Sequence, residues 1–141
     1  MMDYDDDYPT CLETFASVRV WSGDLTVSEV STILGTSPTW SVAKGDLRSE
    51  RTSPNRRHYD EHGWSFSTQE LSDSRDCRRH LDILIDRVLS DGAAIQNLKS
   101  KGCKVDVVVF YSYTQGGPTI SPVQMTALAK AGVDVWWDLY R

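Results

Sequence analysis

Apolar and polar positions along the chain change period several times, and those changes mark its elements. Residues 14–21 (TFASVRVW) alternate, with Ala16, Val18 and Val20 on one side and Phe15, Ser17, Arg19 and Trp21 on the other, which predicts a strand. Thr26 and Glu29 then have the spacing of a capping box, Val27, Val30, Ile33 and Leu34 follow at helical spacing, and Gly35 closes a first helix. A short strand is expected over 39–43, a long polar loop over 44–62 with room for a strand extension, and a further alternating strand over 63–68. Cys77, Leu81, Leu84, Ile85, Val88 and Leu89 draw one stripe after the N-caps Ser72, Asp73 and Ser74, predicting the longest helix, with a shorter one over 93–101.

Residues 105–113 (VDVVVFYSY) form the most strand-like run of the chain and read as an internal strand buried on most of both faces. Ser121, Pro122 and Gln124 start a helix that Gly132 ends, and 133–140 (VDVWWDLY) alternates again. In this last strand Val133, Val135, Trp137 and Leu139 face one way and Asp134, Trp136, Asp138 and Tyr140 the other. The order β-α-β-β-α-β plus a further α-β predicts an α+β fold. Its first six elements match a ferredoxin-like split βαβ arrangement, extended by a C-terminal αβ unit, with helices mainly on one face of the sheet.

At 141 residues the chain has room for one domain, expected over 11–141, and its composition is that of a globular protein. Four negative charges of the net -5 lie at Asp3, Asp5, Asp6 and Asp7, so residues 1–10 read as an acidic, disordered tail and the body as nearly neutral. A neutral body counts against nucleic-acid binding. No long apolar run or signal peptide is present, which predicts a cytoplasmic protein with no membrane contact, and three scattered cysteines suit reduced thiols.

Candidate chemistry is sparse. His58 with His62 and Cys77 with His80 have spacings that could suggest zinc, but solvated histidines and a core cysteine explain them without convergent ligands, so no metal is expected. Cys103 follows a helix C-terminus, where the dipole disfavours a thiolate, and Gly116-Gly117-Pro118 is a turn with no phosphate-cradle pattern. Asp134 and Asp138 could be imagined as a carboxylate pair, but acids on a sheet face are ordinarily solubilising. No cofactor and no catalytic residue is predicted.

The strand leading to Gly23-Asp24-Leu25, then 36–39 (TSPT), 44–46 (KGD), 63–67 (GWSFS), the 81–89 helix, 131–133 (AGV) and 138–140 (DLY) together resemble a bacterial family, domain-of-unknown-function family 4279. The resemblance spans nearly everything after the tail, and the basic stretch at 48–58 departs from its pattern. It implies the fold and a bacterial origin. The family has no established activity, so no functional residue is carried over.

What remains is a surface. If helices cover the valine side, the opposite face displays Arg19, Trp21, Trp136, Asp138 and Tyr140, the residues expected to bind. The expected role is a non-enzymatic protein-interaction module of immunity or antitoxin type, with a protein partner or a second copy of the chain on that face. The alternative is a small-molecule sensor or enzyme with a cleft between the 44–62 loop and the sheet, using Arg19, Asp134 and Asp138.

Overall fold

The computed structural model describes residues 3–48 and 57–141. Five strands form one open sheet: β1 (Cys11–Ser22), β2 (Trp40–Val42), β3 (His62–Ser67), β4 (Lys104–Tyr113) and β5 (Asp134–Tyr140), in spatial order β2-β3-β1-β4-β5. Neighbours are antiparallel except β4 and β5, which run parallel and make β4 internal. Four helices are described: α1 (Val27–Leu34), α2 (Cys77–Leu84), α3 (Gly92–Ser100) and α4 (Pro122–Ala131). The α2 stripe runs on through a π turn over Ile85–Leu89.

Both predicted capping boxes form. Glu29 N–H donates to the Thr26 hydroxyl while the Glu29 carboxylate accepts from Thr26 N–H, and Gln124 accepts from Ser121 N–H in the same way. Gly35 and Gly132 end their helices at φ of 70° and 71°, in the left-handed region that glycine enters without a Cβ penalty.

The helices pack on one side of the sheet. There Ala16, Val18 and Val20 of β1, Val107, Val109 and Tyr111 of β4, and Trp64 and Phe66 of β3 meet Val30, Leu81, Leu84, Ile95 and Leu98 in one core. Trp64 is sealed by its indole N–H donating to Ser31 Oγ at 3.0 Å. The expectation that β4 is buried on most of both faces needs correction. Burial alternates along it from Lys104 to Ser112, because no helix among the described residues covers the side that carries Asp106, Val108 and Phe110.

A polar knot crosses the core. Thr68 Oγ1 accepts from Ala16 N–H at 3.0 Å and donates to His80 Nδ1 at 2.6 Å, and His80 Nε2–H donates to the Ser74 carbonyl at 2.8 Å. His80 is therefore a buried neutral ring rather than a solvated one, and burial holds its pKa below the ordinary histidine value.

The acidic N-terminal segment is docked, not an unfolded tail. The Asp6 carboxylate accepts from Arg79 at 2.8 and 2.9 Å and from the Ser74 hydroxyl, the Tyr4 hydroxyl donates to Asp82, and Arg79 lies over the Tyr4 ring. Charge repulsion among the aspartates is offset because Arg79 at the start of α2 pairs with the Asp6 carboxylate, while Arg78 donates to the Asp3 carbonyl. The Arg79 and Ser74 bonds pull the Asp6 carboxyl down to about 2, and burial beside Asp82 pushes the Tyr4 phenol up to about 12.

Candidate functional site: the helix-free face of the sheet

Strand register decides what the helix-free face carries. Arg19 pairs with Ser65 on one side and Asp106 on the other, and Asp106 with Asp134, so these residues form one row across the sheet. Trp21 lies one row along in one direction, beside Gly63. In the other direction Val108 aligns with Trp136, then Phe15 with Phe110 and Asp138, then Ser112 with Tyr140. Alternation along each strand puts all these side chains on the same face.

The face divides into two aromatic clusters. At one end Trp21, Trp40 and Tyr59 pack together with ring centroids 6.1–6.2 Å apart, and the Arg48 guanidinium lies 4.9 Å from the Tyr59 ring centre. The Trp21 ring sits directly on Gly63, where a Cβ would come within 2.7 Å of its Cζ3 atom. At the other end Phe15 stacks on Phe110 at 4.7 Å, and Phe110 meets Tyr140 at 5.2 Å. Trp21 lies six residue steps along β1 from Phe15, roughly 20 Å at the rise of a strand.

Between the clusters Arg19 makes a bidentate pair with Asp106, at 2.9 and 2.8 Å. Those two bonds raise the Arg19 pKa further and keep both charges fixed on the surface. Asp138 hydrogen-bonds the Tyr140 hydroxyl and raises that phenol above its usual value.

The five residues predicted to bind are all on this face, but not in one spot. Trp21 is half-covered by the leg of the polar loop that carries Tyr59. Trp136 and Tyr140 are bare, at 61% and 52% exposure, with Asp138 half-buried between them.

The loop is more structured at its base than its composition suggests. Its two legs pair through Gly45 N–H to the Tyr59 carbonyl, Tyr59 N–H to the Asp46 carbonyl and Arg48 N–H to the Arg57 carbonyl. Residues 49–56, including Arg51 and Arg56, lie outside the described residues. Where a small-molecule cleft was expected between this loop and the sheet, the Trp21, Trp40 and Tyr59 rings occupy the described part of that space.

Tyr59 and Trp40 join this face without having been expected there. The only signal for Tyr59 was an aromatic ring inside an otherwise charged run. Cys77 sits in the core as expected, its thiol donating to the Thr119 carbonyl and pushed up to about 12 by burial, which leaves it no nucleophilic character near neutral pH. Among the described residues no three His, Cys, Asp or Glu side chains cluster as a metal set, and no helix is long and apolar enough to cross a membrane.

No curated protein and no solved structure matches this sequence. Residues 12–141, essentially the whole chain, match the domain of unknown function DUF4279, and the chain belongs to that family.

Proposed function

We propose that the chain is a non-enzymatic binding module of the bacterial cytoplasm, immunity- or antitoxin-like, which covers a protein partner with the helix-free face of its sheet. The observation that carries this reading is Trp136 and Tyr140, more than half exposed and continuous with the Phe15–Phe110 stack. An apolar patch of that kind is seldom left unused. Roughly 200 Å² of bare aromatic surface on these two side chains would supply about 5 kcal/mol on desolvation, before the costs of association.

Charge narrows the partner. Arg19 is neutralised by Asp106, while no ion pair within the described residues engages Asp134 or Asp138. An apolar surface edged with basic groups complements such a patch, whereas a phosphate backbone is repelled by it. The strand order β2-β3-β1-β4, antiparallel throughout, supports reading the first four strands as a ferredoxin-like sheet extended by β5. Three unpaired cysteines fit a reducing compartment.

The test is affinity capture from host lysate with wild type and with Trp136→Ala/Tyr140→Ala. Loss of two interface anchors is expected to deplete the captured partner tenfold or more, while circular dichroism stays unchanged. Equal recovery by the two proteins sinks the reading.

A further inference from the structure

We infer that β5 is a self-pairing edge, through which two copies of the chain join antiparallel about a two-fold axis at Trp137 and continue one sheet across the dimer. It differs from partner binding in resting on the free backbone rim of β5, although Trp136 and Tyr140 of the proposed partner surface flank that rim.

The two rims differ. At one rim β2 is only three residues long, one of the ways proteins blunt an exposed strand. At the other, β5 runs seven residues (DVWWDLY) in unbroken register with β4, with no proline, lysine, glycine or bulge to interrupt it. Among the described residues no strand lies beyond it, so its outer N–H and C=O groups lack ladder partners.

Both sides of β5 are also bare. Trp136 and Tyr140 are exposed on the helix-free side, and Trp137 and Leu139, at 40% and 48%, on the side where the helix layer stops short. An edge that is long, flat and apolar on both sides is an open template for another strand.

The sequence of β5 selects the register. With Trp137 opposite its own copy, Val135 meets Leu139 and the two Trp137 rings meet on the helix side. On the other side Trp136 meets Asp138, and Asp134 meets the Tyr140 hydroxyl. Moving the axis to Trp136 sets Asp134 against Asp138, and moving it to Asp138 sets that acid against itself, so both neighbouring registers oppose like charges. The four bare side chains offer on the order of 400 Å² per copy, about half of a standard interface side, which points to a dimer of micromolar strength.

Sedimentation equilibrium of the full chain from about 2 to 200 µM, a range that brackets micromolar dissociation, tests this directly. The expected mass rises with concentration from 15.9 kDa toward twice that value, and Trp137→Lys weakens association at least tenfold with unchanged circular dichroism. Trp137→Cys reports the register independently. Opposed Cα atoms in an antiparallel pair lie about 4.5–5.5 Å apart, within disulfide reach, and the native cysteines are all buried, so mild oxidation should link two copies. Trp136→Cys, placed opposite Asp138, should link far more slowly. A constant mass of 15.9 kDa, or faster linkage at 136 than at 137, overturns the proposal. A monomer whose captured partner is still lost on Trp136→Ala/Tyr140→Ala leaves the proposed function intact.

Discussion

Thr68→Val removes one hydroxyl from the centre of the core and leaves the side-chain shape nearly unchanged. In the wild type that hydroxyl accepts from Ala16 N–H at 3.0 Å and meets His80 Nδ1 at 2.6 Å, and Ala16, Thr68 and His80 are all at 0% exposure. Valine strands both partners away from water. A buried group without a hydrogen bond costs about 1–3 kcal/mol, and the two belong to one network, so the combined loss is about 2–5 kcal/mol and not a strict sum. Against the 5–15 kcal/mol typical of a whole domain, that is a large fraction. For a chain of this size it lowers the thermal midpoint by roughly 6–20 °C. Urea unfolding followed by tryptophan fluorescence measures it. Thr68→Ser is the control, since it keeps the hydroxyl and loses only a methyl group, about 1 kcal/mol. If Thr68→Val is as stable as wild type, or more stable than Thr68→Ser, the knot contributes nothing and the reasoning is wrong.

Two further outcomes follow from the same geometry. Gly63→Ala pushes a Cβ into Trp21 and Val42, at 2.7 and 2.9 Å, so the Trp21 ring must lift away. A loss of about 1–3 kcal/mol with a red-shifted tryptophan emission is expected, and an unchanged spectrum would show that the ring does not rest there. The pH profile has two limbs. Because the His80 pKa is depressed in the fold, the unfolded chain takes up its proton first. Stability from His80 is therefore full above about 6.5 and lost as pH falls below that value. Because the Tyr4 pKa is raised from 10.0 to about 12, its contribution is full below 10.0 and lost as pH rises through 12, and Tyr4→Phe should flatten that alkaline limb in a denaturation series.

Elements that declare themselves through local chemistry were legible. Alternation in β1 and β5 assigned Ala16 and Val18 to the core, and Arg19, Trp136 and Tyr140 to the opposite face, whereas the unbroken apolar run of β4 hid its one-sided burial. The Thr26–Glu29 and Ser121–Gln124 boxes announced α1 and α4. Features that depend on long-range partners were not legible. The aspartates of residues 3–7 look repulsive until Arg78 and Arg79, more than seventy residues away, are brought beside them. Tyr59 looks like part of a solvated loop until the paired legs carry it onto Trp21. His80 has the spacing of a ligand, and only the position of Thr68 and Ser74 shows that its two nitrogens are already used inside the core.

The central claim is that the bare end of the helix-free face is the working surface. Quantitative capture from host lysate, comparing wild type, Trp136→Ala/Tyr140→Ala and Val123→Ala/Met125→Ala, tests it most directly, because Val123 and Met125 are equally exposed but lie on α4. A partner held by wild type and by the α4 variant and lost from the β5 variant is the expected result. Retention by all three, or loss from the α4 variant alone, would contradict it.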